Sequence, residues 1–321
     1  MTQPMEQTVA PLAAGGRIAD GIRRFFDGDL FHSFCRSPVI VIAFALTSLF
    51  FLAAIFAPWI TPYNTSDVAT LNLMDAFRPP SWTVGGDSSF LIGTDDQGRD
   101  VLSSIIFGLR ISLLVGFASV LLAALVGTLL GLLSGYVGGT LDSIIMRIAD
   151  IQLTFPAILI ALLIDGIVRS ILPAHVHNDF KLTVLVVAIA ASQWVNFART
   201  VRGSTMVEKN KEYVQAARVI GIHPALIMLR HILPNVTGPI LVIATLSLAI
   251  AILTEATLSF LGVGVPVTRP SLGTLIRIGN DFLFSGEWWM TIFPGIALVV
   301  LVLAVNLLGD WLRDALNPKL R

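Results

Sequence analysis

The chain has 321 residues, 55% of them hydrophobic and only 13% charged, with a mean hydropathy of +0.81. That balance lies outside the range of soluble domains and calls for a lipid solvent. Its 21 basic and 21 acidic residues cancel, which excludes the global field that would draw nucleic acid, and a single cysteine, Cys35, excludes an internal disulfide framework or a cysteine-built zinc or iron–sulfur cage.

Residues 1–37 are expected to form a cytoplasmic N-terminal segment. Ile18, Ile22, Phe25 and Phe26 share a face there among Arg17, Arg23 and Arg24, a pattern that suits either a surface helix at a membrane or an unstructured basic tail. Pro38 to Ala57 is about the ~20 apolar residues that a spanning helix needs and lacks a small-residue cleavage pattern, so it reads as a retained anchor. Five further spans are expected at Ile105 to Gly135, Ile144 to Ile167, Leu182 to Ala198, Pro239 to Leu261 and Trp289 to Leu308. Each must be helical, because open backbone in lipid leaves polar groups unsatisfied.

Lysine and arginine set the orientation. With both termini inside, the inner side holds Arg17, Arg23, Arg24, Arg36, Arg147, Arg199, Arg202, Lys209, Lys211, Arg218, Arg230, Arg313, Lys319 and Arg321, two thirds of the basic residues. By the positive-inside rule both termini are therefore cytoplasmic. The segment 58–104 then lies outside, and Pro58, Pro62, Pro79, Pro80, Gly85 and Gly86 mark it as a folded loop without long helices. Residues 105–310 hold the five remaining spans, and 311–321 make a cytoplasmic tail.

In the second span Gly127, Gly131 and Gly135 recur every four residues, one helical stripe where another helix can pack closely or slide. The inner segment 203–235 reads as helix, turn, helix: Glu208 to Arg218 forms a helix that stops at Gly221, and Pro224 opens the next. Its apolar stretch Ala225 to Leu229 needs cover, from a protein partner or from the membrane and the chain's own spans. Among ionisable groups, Glu255 falls late in the fifth span, where a charge costs about 2.5 to 3.5 kcal/mol. It is expected either to line a path or to pair with Arg110 near the outer side, whereas Asp165 sits close enough to a helix end to be solvated.

Enzyme motifs do not emerge. There is no G-x-S-x-G, no H-E-x-x-H and no G-x-x-x-x-G-K-S/T, nor any Gly-Lys pair that could open a phosphate-cradling loop. His175 and His177 stand two apart on an expected external loop around Ile171 to Asp179, a spacing that points them to opposite faces of a strand unless the loop lets them converge, and no metal site is expected.

The stretch EYVQAARVIGIHPALIMLRHILPN, Glu212 to Asn235, resembles the cytoplasmic signature loop of ATP-binding cassette (ABC) importer permeases, a Glu-Ala-Ala triplet followed by Gly and then Ile-Leu-Pro. Here Gln215, Ala216 and Ala217 occupy the triplet, with Gln215 in place of the usual Glu. GTDDQGRDVLSSIIFGLRISLLVG (Gly93 to Gly116), GYVGGTLDSIIMRIADIQLTFP (Gly135 to Pro156), EATLSFLGVGVP (Glu255 to Pro266) and the stretch from Phe293 to Arg321 are similar to the dipeptide, oligopeptide and nickel permease group.

The resemblance implies an all-α membrane protein of six spans with the type I ABC importer permease fold. It further implies peptide import across a bacterial inner membrane, with no cofactor in this chain and with ATP and Mg on partner ATPases. Two ABC ATPase subunits, a second homologous permease, an extracytoplasmic solute-binding protein and the lipid bilayer would be the partners, with no nucleic acid. Glu212, Gln215, Ala216, Ala217, Gly221, Ile222, His223 and Pro224 would form the ATPase-coupling loop, with Gly221 supplying the bend and Ala216 and Ala217 the close approach. Nickel or a nickel chelate is the alternative cargo, and a gradient-driven carrier the alternative class.

Overall fold

The computed structural model describes residues 34–63, 72–171, 174–266 and 268–316, without the side chains of 174–179 and 316. The basic N-terminal pattern at Ile18 to Phe26 lies outside the described residues. The helices are α1 (Pro38–Ile55), α2 (Ala57–Ile60), α3 (Val101–Val137), α4 (Gly139–Leu153), α5 (Ala157–Ile171), α6 (Ala174–Glu208), α7 (Glu212–Val219), α8 (Pro224–Leu226), α9 (Leu233–Phe260), α10 (Leu272–Phe282) and α11 (Trp289–Leu316). Among the described residues no strand forms, and the one β-bridge joins Thr94 to Asp100.

Five helical stretches are long and apolar enough to cross a membrane, or six if the bent pair α4–α5 counts as one span. The expected third span, Ile144 to Ile167, is that pair, and its two halves meet at 96°. Pro156 is the cause: it disfavours helical backbone at Phe155 and lacks the N–H that would continue α4. Asp165, expected in solvent, is buried on α5 and accepts a hydrogen bond from Arg169 Nε at 2.5 Å.

Several elements run longer than hydropathy alone suggests. α3 begins at Val101 because the Asp100 carboxylate caps it, accepting from Ser103 N at 2.8 Å and Ser103 Oγ at 2.6 Å. α6 begins at Ala174, so His175 and His177 lie on a helix instead of a loop, and their side chains fall outside the described residues. At the other end α6 continues to Glu208, and the expected helix from Glu208 to Arg218 is instead α7, from Glu212 to Val219. Pro224 opens α8, which passes through a π-helical turn, Ile227–Ile232, into α9 without leaving the span. At that turn the Leu233 N–H reaches back to the Met228 oxygen, and Pro234, with no N–H of its own, follows at once. The connection between the fourth and fifth spans is thus shorter than 203–235: it is the segment 209–223 with α7 in its middle.

Two clusters of buried side chains divide the molecule. The larger runs through α3, α6, α9, α10 and α11 and includes Leu113, Ile189, Phe197, Ile252, Leu272 and Leu301. The smaller lies at the signature-loop end and joins Leu132, Val201, Val214, Ala217, Ile227, Ile232 and Val236. Outward-facing apolar residues such as Leu121, Leu163, Val299 and Leu303 are left for lipid or partners, as befits helices whose surroundings are as apolar as their core.

Candidate functional site

The stripe Gly127, Gly131 and Gly135 lies flat against α6. A Cβ at Gly127 would stand 2.4 Å from the Trp194 oxygen, one at Gly131 2.6 Å from the Ala198 oxygen, and one at Gly135 2.8 Å from the Arg202 oxygen. Backbone therefore meets backbone over two turns. Polar contacts fix the Gly135 end of this seam: Lys209 Nζ donates to the Gly135 oxygen at 2.7 Å, and Arg202 forms a forked pair with Asp142 at 2.6 and 2.7 Å. Lys209 thereby satisfies one of the carbonyls that the end of α3 leaves open.

α7 is built onto that corner. Val214 and Ala217 face inward and are buried, while Glu212, Gln215 and Ala216 face outward. The two alanines of the triplet thus separate: Ala217 packs within the chain's own cluster, and only Ala216 is left to admit another molecule closely. Gln215 donates its amide to the Lys209 oxygen at 3.3 Å, a bond that an ionised glutamate at this place has no proton to make. Arg218 stacks over the Tyr136 ring at 4.9 Å and ties α7 to the end of α3.

The turn that follows is set by Gly221. Its φ of +83° lies in the left-handed region, its N–H reaches the Arg218 oxygen at 3.0 Å, and the Ile222 N–H reaches the Ala217 oxygen at 3.1 Å. No atom lies within 4 Å of where its Cβ would be, so backbone conformation and not crowding demands glycine. His223 caps α8 through Nδ1, which accepts from Ala225 N at 3.3 Å, Pro224 takes the first helical position, and Ile222 is half-buried. Around the turn Val219 is 87% and Ile220 77% exposed, with Leu226 and Leu229 beside them on α8 and the π turn. These bulky aliphatic side chains are left uncovered by the chain itself.

Tyr213 links three helices at this corner. Its hydroxyl donates to Glu208 Oε2 at 2.5 Å and accepts from Asn235 Nδ2 at 3.2 Å, while Lys211 donates to Glu208 Oε1 at 2.6 Å. Partial burial, and then the Glu208 carboxylate that holds its proton, push the phenol up to about 12. Sequence reasoning missed this residue, although Tyr213 sits inside the quoted motif. Its role depends on Glu208 and Asn235, which only the fold brings within reach.

Glu255 does not pair with Arg110. It is completely buried, and its oxygens accept from Ser112 Oγ and Ser259 Oγ, each at 2.7 Å. Ser112 Oγ accepts in turn from Leu272 N at 3.3 Å, so α3, α9 and α10 meet at one carboxylate. Helical geometry explains the missed pairing. Ser112 follows Arg110 by two positions, about 200° around the helix, so when one faces Glu255 the other faces away. Arg110 is exposed and borders a cavity of about 380 Å³ together with Arg269.

The loop between α2 and α3 is folded, with its core in the described residues 72–104. Arg99 and Asp95 form a buried ion pair at 2.6 Å, and Trp289 at the start of α11 donates its indole N–H to the Thr94 oxygen at 3.0 Å. Asp96 is raised above the usual carboxylate range by burial and by the charge of Asp95. α10, which sequence reasoning did not place, packs against this loop, with the Phe282 ring 5.0 Å from that of Phe77. Its signals were there in Ser271, whose hydroxyl accepts from Thr274 N, and in Gly273 and Gly279, where a Cβ would stand 2.3 Å from the Ala256 oxygen and 2.4 Å from the Met290 carbonyl carbon.

Residues 127–321 match the family described as binding-protein-dependent transport system inner membrane component, and residues 28–80 match the N-terminal transmembrane domain of oligopeptide transport permease C. The chain belongs to that family of transport-system inner-membrane components.

Among curated relatives, the dipeptide transport system permease protein DppC of Haemophilus influenzae is 42% identical over 84% of this chain and 87% of its own. The protein of the same name in Escherichia coli K12 is 40% identical over 91% and 93%. The di/tripeptide transport system permease protein DppC of Pseudomonas aeruginosa is 39% identical over 85% and 86%. Among solved structures, an inward-facing conformation of the MetNI methionine ABC transporter shares the fold, with a TM-score of 0.54 and 20% identity over 67% of this chain and 97% of that one.

Proposed function

We propose that this chain is the permease subunit of an ABC importer that carries short peptides across a bacterial inner membrane. The observation that carries the reading is identity of about two residues in five to dipeptide permeases across nearly the whole length of both chains. Nothing in the sequence or the fold favours nickel or a gradient-driven mechanism.

On this reading a second permease stands beside the chain, two ATPases lie beneath it and a peptide-binding receptor docks on the folded outer loop. ATP and Mg belong to the ATPases, and both termini face the cytoplasm. α7, the Gly221 turn and α8 seat in the ATPase, with Val219, Ile220 and Ala216 as the contact. Closure of the ATPases then moves α6 and α9 together, because Tyr213 binds α7 to Glu208 of the one and Asn235 of the other. Moving a two-state transporter from 1:99 to 99:1 takes about 5.5 kcal/mol of differential binding, which ATP-driven closure can supply.

The test is uptake of labelled dialanine by the assembled importer in proteoliposomes, with loaded receptor outside and ATP or a non-hydrolysable analogue inside. Uptake with ATP alone, lost in Gly221→Pro while the complex still assembles, supports both the cargo and the coupling role. Nickel uptake in place of peptide would change the cargo, and uptake driven by an ion gradient without ATPases would refute the class.

A further inference from the structure

Seven basic residues lie on the outer side against the positive-inside bias: Arg78, Arg99, Arg110, Arg169, Lys181, Arg269 and Arg277. Carboxylates hold three of them. Arg78 pairs with Asp75 and Asp87, Arg99 with Asp95, and Arg169 with Asp165. Arg110, Lys181, Arg269 and Arg277 form no ion pair among the described residues, though Lys181 feels the charge of Asp165 as well as those of Arg169 and Arg277. Arg110 and Arg269 are thus cations without a carboxylate of their own, on a side of the bundle that also carries acidic residues such as Asp96, Asp281 and Glu287.

Two of these cations converge. Arg110, nine residues or about 13 Å of helix rise from the outer end of α3, and Arg269, before α10, line the same cavity of about 380 Å³, whose other walls include Phe107, Leu114 and Leu182. A concave, mainly apolar chamber of this size with two guanidinium groups fits a small anion, since arginine forks match carboxylate and phosphate geometry. An arginine at the edge of the lipid zone without a carboxylate partner is a functional-site signal in its own right.

The two arginines are also held in register. Arg110 lies two residues before Ser112 and Arg269 two before Ser271, the cap of α10. Glu255 grips Ser112 and Ser259, and Ser112 receives the Leu272 N–H. The buried carboxylate thus locks together the two segments that present the cations, which is the support a preorganised site needs.

We propose that Arg110 and Arg269 form a carboxylate subsite at the outer mouth of the spans, which receives the C-terminal carboxylate of the peptide as the receptor releases it. The assignment rests on the reading of this chain as a peptide permease. An anionic lipid headgroup offers related chemistry, and the experiment separates the two.

The assembled importer in proteoliposomes, supplied with receptor loaded with labelled dialanine, should show peptide delivered per ATP hydrolysed falling about tenfold or more in Arg110→Gln and in Arg269→Gln, the scale of losing one charge-assisted hydrogen bond. Arg110→Lys and Arg269→Lys should recover part of it, which a folding defect would not predict. The loss should be the same with and without added phosphatidylglycerol. Dependence of the defect on that lipid would reassign the site to a headgroup and overturn the proposal. A raised half-saturating receptor concentration with delivery per ATP unchanged would make it a receptor contact and overturn it likewise. Variants that match an active wild-type importer defeat this subsite alone, whereas a wild-type importer that takes up no dialanine defeats the peptide reading and the subsite with it.

Discussion

A methyl group at Gly131 would stand 2.6 Å from the Ala198 oxygen and 2.8 Å from Val201 Cβ. Gly131→Ala should therefore destabilise the seam by about 1–3 kcal/mol, the cost of overpacking, and lower the thermal midpoint of the detergent-purified complex. Gly203→Ala is the control: no atom lies within 4 Å of its Cβ position, and a helical glycine replaced in open space gains up to about 1 kcal/mol. Glu255→Ala should cost about 2–5 kcal/mol, since it opens a cavity and leaves the Ser112 and Ser259 hydroxyls without their acceptor. The same thermal assay checks this, and an unchanged midpoint with altered cargo preference would place Glu255 on the path instead. The glycine stripe was legible because its spacing alone defines a face. The partners of Glu255 were not, because Ser112 is 143 positions away and two serines leave no pattern in a sequence.

Element by element, the sharpest departure from hydropathy is the bend between α4 and α5. Pro156→Ala removes the block to continuous helix, and spin labels at the exposed positions Ile144 and Leu163 should move apart by on the order of 10 Å as the 96° angle opens. Pulsed electron spin resonance measures that distance. At the α6–α7 corner, a phenol raised to about 12 stays protonated while free tyrosine ionises near 10. Its contribution to the corner is complete below pH 10 and is lost as pH rises from about 10 to 12, since the folded state holds the proton that the unfolded chain releases. Of the three tyrosines, the one whose tyrosinate absorbance titrates near 12 should vanish in Tyr213→Phe, which also removes the bond to Glu208 and should weaken ATP-dependent uptake.

Across the whole molecule, topology is open to a direct probe through the lone cysteine. Cys35 is exposed and precedes α1, so a membrane-impermeant maleimide should label it in inside-out vesicles and leave it untouched in right-side-out ones, whereas Ser89→Cys in a Cys35→Ser background should behave in the opposite way. Reversed labelling would turn the chain over. Hydropathy located the membrane segments because burial in lipid is a property of composition, which a window of sequence carries. The Gly221 turn was equally legible, since a left-handed backbone after a helix selects glycine whatever surrounds it. Tertiary structure alone decided which of Ala216 and Ala217 faces outward, that Arg110 borders a cavity with Arg269 instead of pairing with Glu255, and that Glu208, Tyr213 and Asn235 meet. Local sequence fixes what a residue prefers to do, but contacts between residues far apart along the chain depend on helix rotation and packing, which exist only once the bundle has closed.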